Sequence, residues 1–118
     1  ALFFALSRAI TPSELEAMLP SEQFVFVNFY CPSCPASIRA LEEWQKIVDA
    51  YSSNPRFLFL TVDCERYRSG CVKMEAEGYP YWCMYSPYYK ERIRYGRDRT
   101  FEQFQKWLKQ MTGYSEEI

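Results

Sequence analysis

The chain has 118 residues, 48% of them in the AVILMFWYC class and 25% charged, the composition of an ordinary globular domain rather than a disordered or fibrous segment. Fourteen basic and 15 acidic residues leave a net charge of −1, so no global field draws it to nucleic acid or an anionic membrane surface. Cysteine occurs five times and histidine not at all, which excludes Ser-His-Asp and Cys-His nucleophiles, His-ligated zinc and a haem with a proximal His.

In chain order, Leu2 to Leu6 is a short apolar run that reads as a first strand. Thr11-Pro12-Ser13-Glu14 opens a helix, with Thr11 as cap, Pro12 at its first position and Glu14 closing a capping box; it ends before Pro20. Phe24 to Tyr30 is β-branched and aromatic almost throughout, the mark of a central strand buried on both faces. From Cys34 a helical pattern runs to about Tyr51, and Ile38, Leu41, Trp44, Val48 and Tyr51 define its expected inward face. Phe57 to Val62 reads as a strand and Cys71 to Ala76 as a short helix. Tyr81–Tyr85 and Arg92–Tyr95 read as an antiparallel pair. Thr100 with Gln103 opens a last helix facing inward with Phe101, Phe104, Leu108 and Met111. The order β-α-β-α-β-α-β-β-α predicts a single three-layer α/β domain over residues 1–118.

No apolar run approaches the roughly 18 residues of a membrane span. Ser7 and Arg8 keep Ala1 to Ile10 from reading as an intact signal peptide, and the absence of an initiator Met suggests a processed chain or an excised domain. The C-terminal Tyr114-Ser115-Glu116-Glu117-Ile118 carries no endoplasmic-reticulum retrieval tetrapeptide. Aromatics make up 19% of the chain, enough that some rings are expected on a contact surface.

Chemistry concentrates where the second strand meets its helix. A thiol in the first turn of a helix faces unpaired backbone N–H groups and the positive end of the macrodipole, both of which favour thiolate. Cys34 has that placement, directly after a buried strand, and Pro35 suits the position after it.

Phe29-Tyr30-Cys31-Pro32-Ser33-Cys34 resembles the Phe-Tyr-Ala-Pro-Trp-Cys of the protein disulfide isomerase family, with Trp44 ten residues after Cys34 as in that family. Val62-Asp63-Cys64, Cys71, Gly78-Tyr79-Pro80 and Arg99-Thr100 match further family motifs in order. The resemblance implies a thioredoxin fold, a central mixed sheet flanked by helices, and thiol-disulfide exchange with unfolded or disulfide-containing client proteins. It calls for no cofactor and no metal. Glutathione is a further expected partner, and the expected location is the endoplasmic reticulum lumen or secretory pathway.

The ungapped match makes the active-site tetrapeptide Cys34-Pro35-Ala36-Ser37, so Ser37 stands where the family has its resolving cysteine. Asn28 falls at the place of the family's buried acid and Thr61 at that of the lysine paired with it. A neutral pair there fits a site that makes no resolving thiolate. Cys34 would then form a mixed disulfide with a client and depend on another client thiol or glutathione for release. The resemblance further makes Pro80 the family's cis-proline, places Tyr79 and Tyr81 beside the substrate, and turns Arg99 toward the site.

Cys31 opens two other arrangements. If the helix begins at Cys31, Cys31-Pro32-Ser33-Cys34 is an ordinary redox pair, at the cost of a three-residue deletion in the loop and of the Trp44 register. Alternatively the register holds and Cys31 resolves Cys34 from the N-terminal side, provided the two Cβ atoms approach within about 4.5 Å. A redox-inactive client-binding module is the remaining reading.

Cys64 and Cys71 flank a polar segment and are expected to form a structural disulfide, as the resemblance also suggests. In the chain-entropy model closing that loop contributes about 2.5 kcal/mol, and the bond implies an oxidising compartment. Cys83, amid Tyr81, Trp82, Met84 and Tyr85, reads as a buried inert thiol. The spacing of Cys31, Cys34, Cys64 and Cys71 is wrong for a Cys₄ zinc knuckle. The mixed tyrosines and arginines from Tyr88 to Arg99 read as a solvated hairpin face rather than a nucleic-acid platform.

Overall fold

A computed structural model describes residues 7–114. Its elements are β1 (Arg8–Ala9), α1 (Pro12–Met18), β2 (Phe24–Tyr30), α2 (Pro35–Tyr51), β3 (Phe57–Asp63), α3 (Arg68–Lys73), β4 (Tyr81–Tyr85), β5 (Ile93–Arg94) and α4 (Phe101–Thr112). The strands form one mixed sheet in the order β1-β3-β2-β4-β5. β1, β3 and β2 are parallel, whereas β4 runs antiparallel to both β2 and β5. The run expected as a first strand, Leu2 to Leu6, lies outside the described residues.

β2 is central because both its faces are apolar, and the alternation of its side chains divides the interior. Phe24 and Phe26 join Trp44, Ile47, Val48, Tyr51, Phe57, Phe59, Trp82, Phe104, Trp107 and Leu108 on the α2–α4 side. Val25, Val27 and Phe29 join Leu15, Leu60, Val62, Cys64, Cys71, Tyr81 and Cys83 on the α1–α3 side. The first layer is mostly aromatic: Phe26 stacks on Phe59 at 5.0 Å, and Trp44 meets Trp82 at 5.3 Å.

Local signals act as the sequence predicts at both capped helices. Thr11 and Glu14 form the reciprocal capping box of α1, and Thr100 Oγ1 accepts the Gln103 N–H at the start of α4. Gly113, with φ at 76°, terminates α4 in the left-handed conformation a glycine adopts at least cost.

Three expectations need correction. Ile38 and Leu41 do not face inward but are 56% and 50% exposed; Ser37 and Ala40 take their place under α2. The large Trp44, Ile47, Val48 and Tyr51 set the rotation of the helix on the sheet, and only small side chains fit beneath its first turns. α4 buries Trp107 as well as Phe104 and Leu108, leaving Phe101 and Met111 half-buried. The third helix starts at Arg68 rather than Cys71. Asp63 Oδ1 accepts the Glu65 and Arg66 N–H groups, and the Asx turn so formed bends the chain early enough for the helix to begin there.

Arg92 fastens the β4–β5 end to α3. Its guanidinium donates to the carbonyls of Met74 and Glu75 at 2.6 and 2.9 Å and to the hydroxyls of Tyr81 and Tyr85.

Candidate active site

At the C-terminal end of β2 the chain makes one hydrogen-bonded turn before α2 begins. The Cys34 N–H donates to the Cys31 carbonyl at 3.0 Å, with Pro32 at the second position of the turn, where its fixed φ is preorganised. Pro35 is the first residue of α2 and Cys34 its N-cap. The turn brings the two Cα atoms to 5.2 Å, and Cys31 and Cys34 are joined by a disulfide. Cys34 is half-buried, whereas Cys31 is only 8% exposed.

This corrects the expectation of a lone Cys34. Its sulfur has a partner, on the N-terminal side, and the bond forms although the helix starts at Pro35 rather than Cys31. Ser37 is buried at the third helical position, where its Oγ accepts the backbone N–H of Cys31 at 3.1 Å. It therefore holds the turn against the helix.

Glu65 gave no sign of a role in the sequence. Ser33 donates its N–H to Glu65 Oε2 at 3.1 Å and its hydroxyl to Oε1 at 2.9 Å. The same Oε2 lies 3.6 Å from Cys31 Sγ. Such a contact spans 34 residues, and no local pattern in the sequence could signal it. On the other side an apolar cleft of about 110 Å³ is lined by Tyr30, Cys31, Pro32, Ser37, Ile38 and Leu41. Ile38 and Leu41 thus stand exposed beside the disulfide and form an apolar shelf there.

The remaining expected site residues lie around this centre. The Tyr79–Pro80 peptide is cis. The β2–β4 register pairs Phe29 with Tyr81, which sets Pro80 at the same end of the sheet as Tyr30 and Cys31. Tyr79 is half-buried, but Tyr81 is 7% exposed, packed on Phe29 and covered by Arg92 and Arg94 at 4.8 and 4.5 Å from its ring. Arg99 is exposed and lines a small cleft with Ala36, Arg39 and Ala40 beside the first turns of α2. Asn28 is buried in mid-sheet, with Thr61 and Trp82 as its cross-strand neighbours.

Cys64 and Cys71 form a second disulfide, both fully buried, with Cα atoms 5.7 Å apart. Cys83 is the one free cysteine among the described residues, and burial pushes its thiol up to about 12.

The sequence profile of the thioredoxin family matches residues 7–110. The chain belongs to the thioredoxin family. This thioredoxin domain is 29% identical over 72 residues to protein disulfide isomerase-like 2-1 of Oryza sativa subsp. japonica, covering 61% of the chain and 20% of that protein. It is 27% identical over 71 residues to probable protein disulfide-isomerase A6 of Medicago sativa, covering 60% and 20%. The matched region therefore spans about a fifth of the length of these curated relatives. Solved structures share the thioredoxin fold. The J-Trx1 fragment of ERdj5 superposes with a TM-score of 0.75 at 23% identity, covering 90% of the chain and 52% of the fragment. Full-length ERdj5 gives 0.77 at 21%, covering 96% and 17%, and human ERp44 form I gives 0.76 at 14%, covering 95% and 31%.

Proposed function

We propose that residues 1–118 act as one thioredoxin-like domain that exchanges thiols and disulfides with client proteins through the Cys31–Cys34 pair. The observation that carries this reading is a disulfide closed across a tight turn at the N-terminus of a long helix, with one of its two cysteines partly exposed. This is a Cys31/Cys34 redox pair in which the register holds and Cys31 partners Cys34 from the N-terminal side, favoured over a lone Cys34 waiting for an external thiol. Kinship with protein disulfide isomerase-like proteins supports the same chemistry.

Exchange proceeds by attack of a client thiolate on Cys34 Sγ, in the more exposed of the two cysteines, with Cys31 as leaving group. A second client thiol then opens the mixed disulfide. Once reduced, Cys34 sits where the Ala36 and Ser37 N–H groups and the helix dipole favour its thiolate. A client chain lies extended against the backbone at Tyr79 and Pro80, with apolar side chains on the Ile38–Leu41 shelf. Tyr81 supports that strand from below, and Arg99 adds positive charge near the first turn of α2. Glutathione is a small-molecule partner of the pair. The buried Cys64–Cys71 disulfide is consistent with an oxidising compartment, and we place the domain in the endoplasmic reticulum lumen or secretory pathway.

Insulin reduction tests the reading. Wild type is expected to exceed glutathione alone, Cys31→Ala to accumulate a trapped client adduct at Cys34, and Cys34→Ala to form none. A wild type no faster than glutathione, with no adduct in any variant, would mean a redox-inactive binding module instead.

A further inference from the structure

Two unlike electrostatic environments meet at the Cys31–Cys34 bond. Cys34 caps a 17-residue helix, whose dipole and free N–H groups stabilise negative charge on its sulfur. Cys31 Sγ instead has the Glu65 carboxylate at 3.6 Å. The carboxylate is held in place from several sides: Ser33 donates to both of its oxygens, and the backbone of Glu65 is tied into the Asp63 turn.

Among the described residues no cation forms an ion pair with Glu65. On the β2 and α2 side the cleft next to Cys31 is lined by Tyr30, Ser37, Ile38 and Leu41, none charged at neutral pH. Arg39 and Arg99 line a separate cleft with Ala36 and Ala40. Arg66 follows Glu65 in the chain but lies over the Tyr67 ring, and Asp63 spends its Oδ1 on backbone N–H groups.

We propose that Glu65 is a positioning residue that sets the polarity of the pair, keeping Cys31 a neutral thiol on reduction while Cys34 carries the thiolate. The claim rests on the exchange reading above and specifies how the site divides its charge. When a client thiolate attacks Cys34 Sγ, the Cys31–Cys34 bond breaks and its electron pair passes to Cys31 Sγ. That sulfur takes a proton from water, and the new S–H donates to the Glu65 carboxylate. A second client thiolate attacks the client sulfur of the mixed disulfide and expels the Cys34 thiolate. The client has then lost two electrons and two protons, the pair has gained two electrons and one proton, and one proton is left in solvent. Because Cys31 is a thiol at neutral pH, it returns to attack Cys34 only slowly, and the client adduct persists long enough for rearrangement.

The test isolates each thiol. In a Cys34→Ser background, the rate of Cys31 alkylation by iodoacetamide is followed against pH, with and without Glu65→Gln. The substitution is expected to raise the Cys31 ionisation constant about tenfold, as removal of a charge at that distance should do when the carboxylate that carries it is itself exposed to water. In a Cys31→Ser background the same substitution is expected to leave the Cys34 profile where it was. A change at Cys31 of less than about threefold, or an equal change at both cysteines, overturns the proposal. A role for Glu65 confined to holding the loop would not move the Cys31 midpoint. Insulin reduction by wild type reads the exchange function separately. Catalysis without the shift removes the role of Glu65 alone, whereas the shift without catalysis removes the exchange reading and, with it, the mechanism built on it.

Discussion

Ser37 Oγ accepts the backbone N–H of Cys31 at 3.1 Å. The bond is buried and joins the first turn of α2 to the cysteine six residues earlier, so the geometry of the redox turn depends on a hydroxyl that takes no part in the chemistry. Ser37→Ala leaves that N–H without its acceptor and is expected to destabilise the oxidised protein by about 1–3 kcal/mol. Urea unfolding of the oxidised forms measures it; an unchanged midpoint would show that the turn holds without this bond.

Asn28 is 2% exposed at the centre of β2. A carboxyl group there resists ionisation, so the folded-state pKa of the aspartate in Asn28→Asp rises above its unfolded value. The penalty is absent below the unfolded pKa and grows as pH rises above it, until the folded protein also ionises. The variant is expected to lose about 2–4 kcal/mol at pH 7 and little near pH 4. Chemical denaturation at the two pH values separates this from a simple packing defect, which would cost the same at both.

Burial pushes Cys83, Tyr85 and Tyr95 each up to about 12. The folded protein therefore keeps these protons at pH values where the unfolded chain has released them. Stability contributed by the three groups is intact below their unfolded values, about 8.5 for cysteine and 10 for tyrosine, and is lost as pH climbs from there toward 12. Thermal scans across that range are expected to show a falling Tm whose onset moves upward in Cys83→Ala. Iodoacetamide at pH 8 is expected to leave Cys83 unlabelled until the protein unfolds; prompt labelling would contradict its burial.

Ile38 and Leu41 cost little to remove from a surface they already share with water. Ile38→Ser with Leu41→Ser is expected to change stability by less than about 1 kcal/mol while raising the KM for a protein substrate several-fold and sparing turnover of a small disulfide. Equal losses with both substrates would place the defect in the redox turn rather than the shelf.

Much of the architecture is written in local pattern. Phe24–Tyr30, the Thr11 capping box and the Thr100 cap each carry their own signal within a few residues, and the structure follows them. α2 shows where such reading stops. Ile38 and Leu41 share the helical period of Trp44, Val48 and Tyr51, yet the rotation of the helix is decided by larger residues later in its length and by the space under its first turns. The cysteine pair lay beyond sequence for a related reason. Whether Cys31 reaches Cys34 depends on the fold of the Pro32 turn and on a hydroxyl at Ser37, and Glu65 arrives from another loop altogether. Chain neighbours could be read, but contacts made by tertiary approach could not.

The second disulfide gives the domain a definite electron capacity. The Cys64 N–H donates to the Tyr30 carbonyl at 2.9 Å, one residue from Cys31, so the two disulfides spring from adjoining strand ends. Cys64 and Cys71 nevertheless have no exposed surface, and a thiolate cannot line up behind a sulfur it cannot reach. A reductive titration of the native protein should take up two electrons rather than four, the second pair becoming accessible only when the chain unfolds.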